Sequence, residues 1–199
     1  MSAPRRNRLT PEERRMQLLA TGVNFLADHT LDGLTMDELA RRAGVSRALA
    51  FHYFESTQGM HRAVVTMARD AMVSATAPDH DLPPRERIDD TLLRFAGFVR
   101  EHRGTFSSLV RGIASGDPTV RAVVDESREL NAAHLRDAFG ELGVPVTRAL
   151  TISLRAWVAF AEEVLVTTAT DDRADDSAIV ELLSRTLDGA VEAARDSTL

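Results

Sequence analysis

The stretch Thr35–Phe54, TMDELARRAGVSRALAFHYF, constrains the fold of this chain more than any other segment. The Thr35 hydroxyl is placed to cap a short helix, and Glu38 three residues on completes a capping-box pattern. Leu39, Ala40 and Ala43 give that helix an inward face, and Gly44 supplies the left-handed exit that helix ends favour. Ser46 then caps a second short helix, on which Ala50 and Phe54 lie one turn apart. Helix, glycine-containing turn, helix is the arrangement of a helix-turn-helix that reads DNA.

The flanking sequence is helical throughout. Thr10 as N-cap, Pro11 at the first position and Glu12–Glu13 in the first turn open a helix carrying Met16, Leu19, Val23 and Leu26, which ends near His29. After the two short helices, another starts near Ser56 with Met60, Val64, Met67 and Ala71 at helical spacing. Residues 77–84, APDHDLPP, form the clearest break. Ile88, Leu92, Phe95 and Val99 mark a helix that stops near Gly104, and a shorter one runs from Phe106 to Ile113. Asp117–Pro118 opens a long helix that closes at Gly140 or Gly143. Pro145 begins the next, and the acidic turn TDDRADD precedes the last, which carries Ile179, Leu182, Leu183, Thr186, Ala190 and Val191. Without any alternating strand pattern, the expected fold is all-α with about nine helices. Residues 1–55 are expected to form the DNA-binding head, and residues 56–199 a helical bundle for ligand binding and dimerisation. A head this small buries a modest share of its surface alone, so the helix after Ser56 is expected to fuse it to the body.

Composition narrows the function. Cysteine is absent, which excludes disulfides and thiolate metal sites and suits a reducing cytoplasm. The first thirty residues lack a signal-like apolar run, and nothing approaches a membrane span, so a cytoplasmic protein without membrane contact is expected. The net charge is −6, but residues 1–60 hold eight arginines against seven acids, whereas the remainder holds sixteen against twenty-three. A mildly basic head on an acidic body fits a protein that touches phosphates at one end. Gly-rich phosphate loops, H-E-x-x-H and G-x-S-x-G are all missing, and adjacent Glu162 and Glu163 diverge by about 100° on a helix. The chain therefore does not read as an enzyme, and neither cofactor nor metal is expected.

With Ala50 and Phe54 turned inward, Arg47, Ala48 and His52 occupy the outer face of the second short helix, flanked by Leu49, Phe51 and Tyr53. Arg47 suits guanine O6 and N7, and Ala48 or Leu49 suits a thymine methyl. The Tyr53 hydroxyl and the helix N-terminus at Ser46 suit phosphates. The plainer alternative for Phe51, Tyr53 and Phe54 is packing in a small core.

At these residues the chain resembles the TetR family of transcriptional regulators. The family pattern stands here as Thr35, Leu39, Ala40, Ala43, Gly44, Val45, Ser46, Ala50, Phe51, Tyr53, Phe54, Ser56, Thr57, Gln58 and Met60, within a match over about residues 10–65. Together, the helix geometry and the resemblance make Thr35, Ser46, Arg47, Ala48, Leu49, Phe51, His52, Tyr53 and Thr57 the expected DNA contacts. Three positions depart from the pattern. The family's phosphate-binding Tyr is Phe51, its Lys after the recognition helix is Thr57, and the Gly between its first two helices is Thr30. Weaker backbone anchoring follows, which an arm of Arg5, Arg6 and Arg8 can offset.

The resemblance further implies a homodimer built on the last two helices. The apolar seams through Leu150, Leu154 and Ala161, and through Ile179, Leu183 and Ala190, are wide enough to serve inside the chain and across a partner. Two recognition helices one DNA turn apart would read a near-palindrome in double-stranded DNA. The central helices would enclose a pocket for an unidentified small effector, either hydrophobic or bearing a carboxylate. Its candidate lining is Phe95, Phe98, His102, Phe106, Arg111, His134, Arg155 and Trp157, with Arg155 free to pair internally with Glu162 or Glu163 or with a carboxylate across the dimer. Core packing is the plainer role for the apolar members. The expected function is ligand-responsive transcriptional regulation, with repression as the family's commoner mode. The rival is a helical scaffold of the same fold that binds a partner and not DNA.

Overall fold

A computed structural model describes residues 9–112, 118–169 and 175–198, with the side chains at 109, 111, 112 and 119 excepted. Among the described residues the chain forms nine α-helices and no strand. They are α1 (Pro11–Phe25), α2 (Met36–Ala43), α3 (Arg47–Phe54), α4 (Thr57–Ala75), α5 (Pro84–Glu101), α6 (Arg103–Gly112), α7 (Pro118–Glu141), α8 (Arg148–Thr168) and α9 (Asp176–Arg195). The expected stops at Ser115–Gly116, the cap at Asp117 and most of the TDDRADD turn lie outside the described residues.

In α1 the Thr10 hydroxyl accepts from the Glu13 N–H at 3.2 Å, and the Glu13 carboxylate accepts from the Thr10 N–H at 2.8 Å. Leu18, Leu19, Gly22 and Phe25 are its buried face. The helix ends at Phe25, earlier than expected, and a 3-10 turn (Leu31–Gly33) follows before α2. Met16 does not join the inward face but is 51% exposed, because it lies on the turn before the buried Leu18–Leu19 pair begins.

Two apolar cores result. That of the head joins Leu18, Leu26, Leu34, Leu39, Ala50 and Phe54 to Met60, Val64 and Val65 from α4, and also to Val120 and Val123 from α7. That of the body joins α5, α7, α8 and α9 around Leu92, Val99, Leu150, Leu154, Trp157, Leu183 and Leu187. Residue 55 is thus a corner between α3 and α4 and not the edge of a core. The Trp157 indole N–H donates to Thr186 Oγ1 at 3.1 Å, which ties α8 to α9.

Two further expected boundaries move, at Gly104 and Pro145, while the expected close of the long helix at Gly140 or Gly143 holds. Gly104 does not stop a helix but sits in the first turn of α6, where a Cβ would stand 1.7 Å from the Ala27 carbonyl oxygen. Only glycine lets the two backbones approach so closely. One turn on, Ser108 Oγ lies 3.2 Å from the Leu26 carbonyl and 3.0 Å from the His29 carbonyl, fastening α6 to the end of α1. The long helix α7 ends at Glu141, and Gly143 (φ 79°) turns the chain so that the Val144 N–H donates to the Phe139 carbonyl at 2.9 Å. Helix α8 starts at Arg148 and not at Pro145, since the Thr147 hydroxyl accepts from the Leu150 N–H at 3.1 Å.

Candidate nucleic-acid interface and central cavities

The recognition element is built from local chemistry. Thr35 Oγ1 accepts from the Glu38 N–H at 3.1 Å, Gly44 takes φ 66°, and Ser46 Oγ accepts from the Leu49 N–H at 3.2 Å. Half of the expected capping box is replaced. The Glu38 carboxylate turns away from the Thr35 N–H and accepts from Arg41 at 2.9 and 2.7 Å and from Arg42 at 2.6 Å. Those two guanidinium groups hold the Glu38 carboxyl down at about 2.

On α3, Ala50 and Phe54 are buried, while Arg47, Ala48 and His52 are exposed. Leu49, Phe51 and Tyr53 are half-buried at its flanks, with Phe51 and Tyr53 packed on the head's core. The Arg47 guanidinium lies 5.3 Å from the centre of the Phe51 ring, and His52 meets Tyr53 edge-on at 5.5 Å. Thr35, Ser46 and Thr57 are exposed at three helix starts, with Thr57 opening α4. The structure therefore brings all nine sequence-predicted residues to one region of the head. Sequence reasoning missed Asp37, whose carboxylate stands 3.4 Å from Arg47 Nε across the turn. It also missed His61, whose Nε2–H donates to the Leu34 carbonyl at 2.8 Å and pins α4 to the loop before α2.

The body holds two neighbouring cavities. The outer one, about 70 Å³, is lined by Thr76, Arg87, Ile88, Thr91, Phe95, His134 and Trp157 among others. The inner one, about 110 Å³, is lined by Met72, Phe98, His102, Phe106, Ser127 and Glu162 among others. Phe95 and Phe106 stand edge-to-face at 5.7 Å, one on each lining. Both cavities are large enough for several water-sized groups, and their walls are mainly apolar.

Six of the eight pocket candidates line these cavities, divided between the two. Arg155 does not, being 53% exposed with its guanidinium 3.6 Å from Glu129 instead of Glu162 or Glu163. The Arg111 side chain lies outside the described residues. Glu162 pairs instead with Arg128, whose Nε and Nη2 donate to one carboxylate oxygen at 2.8 and 2.6 Å. Burial pushes the Glu162 carboxyl up, against the pull of Arg128. Burial pushes the His134 imidazole down, so that it is neutral at neutral pH. Arg87 is buried and reaches Glu141 at 2.7 and 3.2 Å.

The residues expected at a dimer seam fall mostly inside the chain. Leu150, Leu154, Ala161, Ile179 and Leu183 are buried in the body's own core, and Ala190 is half-buried against it. Closed off in this way, the five keep at most 7% of their surface exposed. The large apolar residues that α8 and α9 expose are Ile152, Phe160 and Leu182, at 50%, 42% and 47%. Among the described residues no helix is long and apolar enough to cross a membrane.

Residues 18–64 match the family described as bacterial regulatory proteins, tetR family, and residues 84–196 match the tetracyclin repressor-like C-terminal domain. The chain belongs to the TetR family. A TetR-family transcriptional regulator from Streptomyces coelicolor superposes with a TM-score of 0.78 at 26% identity, over 94% of this chain and 83% of that one. A TetR-like transcriptional regulator from Rhodococcus sp. RHA1 gives 0.74 at 24% identity, over 93% and 99%. The HTH-type transcriptional activator FasR of Mycolicibacterium smegmatis is 29% identical over 131 residues, 63% of this chain and 58% of FasR. The nucleoid occlusion factor SlmA of Haemophilus influenzae is 26% identical over 107 residues, 52% of this chain and 49% of SlmA. The chain thus spans about half to three fifths of the curated relatives it matches. Within this TetR-family fold, Phe51 and Thr57 remain departures. The first packs on the core without a hydroxyl to offer, and the second presents a hydroxyl where the pattern has an ammonium.

Proposed function

We propose that this TetR-family regulator binds a near-palindromic operator as a homodimer and leaves it when a small, mainly apolar effector fills the central cavities. The observation that carries the reading is the outer face of α3. A guanidinium, a methyl group and an imidazole stand exposed on a helix whose N-terminus is capped and whose opposite face is locked into the core. That combination suits direct reading of base edges in a major groove. The exposed Ile152, Phe160 and Leu182 on α8 and α9 would supply the apolar contact between subunits. Duplicated heads would then raise an affinity that one head, short of the family's Tyr hydroxyl and Lys, cannot reach.

Release follows from differential affinity. An effector must favour the arrangement that does not fit DNA, and the inner cavity is placed for this. Its lining includes Val23 of α1, Val65 and Ala68 of α4, and Phe106 of α6, the helix that Ser108 and Gly104 fasten to the end of α1. Such release makes the protein a repressor acting in the cytoplasm. The name of FasR supports activation as the second reading.

Selection of bound duplexes from a random pool tests the proposal. An enriched palindrome with half-sites about one helical turn apart is expected. Log affinity should fall with log salt at a slope near −5 to −9 if about six to ten phosphates are neutralised. A monomer that enriches no sequence at low salt sinks it.

A further inference from the structure

The chemistry still unmet inside the body defines what its cavities can hold. Among the described residues the charged groups on the two linings have ion-pair partners within the chain, although Arg69 Nε and Arg87 Nε are themselves buried without a hydrogen bond. Arg69 stands 2.9 Å from Asp70 and 3.3 Å from Glu126, and Arg87 is taken by Glu141. Glu162 is taken by Arg128. A carboxylate entering the inner cavity would face Glu162 and would have to draw Arg69 from its two acids, while an ammonium would compete with Arg128. The first places another carboxylate beside the buried Glu162, and the second strips Arg128, only 21% exposed, of its buried partner.

Hydroxyl groups are different. Ser127 is 4% exposed and lines the inner cavity, and its Oγ is buried without a hydrogen-bond partner among the described residues. Thr91 Oγ1 is likewise buried and unpaired, and it lines the outer cavity. Leaving such groups unsatisfied is costly, and neither takes the carbonyl one turn back as helical Ser and Thr often do. A hydroxyl both donates and accepts, so it suits a neutral polar group of either kind. The remaining polar residues of the outer lining include Asn131 and His134, the latter kept uncharged by burial.

The two cavities adjoin along the bundle. Met72 and Ser127 line the inner one, and Thr76 and Asn131, each one turn further on the same helices, line the outer one. Phe95 on the outer lining and Phe106 on the inner one also touch edge to face, and a change of either rotamer would join the two spaces.

Resting on the effector-responsive reading above, we infer that the cavities together bind an uncharged, elongated and largely apolar molecule whose hydroxyl or carbonyl groups pair with Ser127 and Thr91. This differs from the carboxylate-bearing effector that Arg111 and Arg155 suggested in the sequence; Arg155 faces outward, and the Arg111 side chain lies outside the described residues.

The test uses the full chain without DNA, so its outcome is independent of operator recognition. Trp157 is the single tryptophan and lines the outer cavity, which makes its emission a direct reporter. 1-Octanol, octanoate and octylammonium are titrated at neutral pH, with the shift in unfolding midpoint as a second readout. 1-Octanol should give a saturable change at a concentration at least about tenfold lower than either charged congener. Ser127→Ala should weaken 1-octanol by about 2- to 10-fold, the worth of one neutral hydrogen bond, with unchanged helical circular dichroism. Since the one hydroxyl of 1-octanol reaches only one of the two, Thr91→Val, of similar shape, should instead weaken 1,8-octanediol, whose second hydroxyl can meet Thr91. Equal or tighter binding of either ion overturns the inference, as does no binding of the alcohol or an unchanged affinity in both variants. A failed operator selection beside a passed titration would remove the regulatory reading and leave the cavity chemistry standing.

Discussion

Arg47 Nε stands 3.4 Å from the Asp37 carboxylate, so the guanidinium at the head of α3 is held by an acid of α2 in the protein without DNA. Both side chains are about two-thirds exposed, and such a pair adds at most about 1 kcal/mol to stability. Its effect should appear in DNA binding. Arg47→Ala should cost about 1–3 kcal/mol of discrimination at one base pair of the selected site. Asp37→Asn should release Arg47 and tighten DNA several-fold at low salt, with the gain fading as salt rises. Quantitative binding curves at two salt concentrations check both, and an Asp37→Asn protein that binds no tighter refutes the restraint.

Glu38 gives the head an acid-sensitive element. Arg41 and Arg42 hold its carboxyl at about 2, below the ordinary 4.5. A folded-state value lower than the unfolded one contributes stability above about pH 4.5, and this is lost as the pH falls toward 2. Glu38→Gln should therefore lower stability near neutrality while flattening the decline between those limits. Urea titrations at several acidic pH values measure it, and an unchanged slope would count against the ion pairs.

Glu55, which ends the recognition helix, takes φ 62° with ψ −42°. A side chain in this region is strained, and glycine is not. Glu55→Gly is expected to raise stability by about 1 kcal/mol despite the greater freedom of its unfolded chain. Thermal unfolding that moves to lower temperature would overturn the assignment of strain.

The junction of α1 and α6 should be intolerant of growth. Gly104→Ala places a methyl group against the Ala27 carbonyl and should cost at least about 2 kcal/mol. Ser108→Ala removes only the hydroxyl between the Leu26 and His29 carbonyls and should cost about 1 kcal/mol. Denaturant unfolding separates the two. If the junction relays effector binding, Ser108→Ala should also weaken the effector's influence on operator affinity at unchanged effector affinity.

What was legible in the sequence was what is local. Thr10, Thr35, Gly44 and Ser46 act through their own neighbours within a turn, and each took its expected place. The nine helices and the face of α3 followed from periodicity. Gly104 was misread because the same residue type marks a helix exit at Gly44 and a backbone approach at Gly104. Only the position of Ala27, far away in sequence, tells them apart. Leu150, Leu154 and Leu183 satisfy the pattern of an inner seam and of an outer one equally, and the packing of α8 on α9 decides between them. Arg128 and Glu162 are separated by 34 residues, so periodicity carried no sign of their pairing. Ser127 and Thr91 look like any helical Ser and Thr until their surroundings are seen.

Val120 and Val123 fill the head's core from the first turns of α7, after the chain has already traversed α5 and α6. During synthesis the DNA-reading unit therefore stays open on one side until those valines have left the ribosome. A fragment ending at α4 would expose a greasy notch in their place and should bind hydrophobic dyes. Exchanging heads between relatives by cutting at the α3–α4 corner would for the same reason join each graft to a foreign plug.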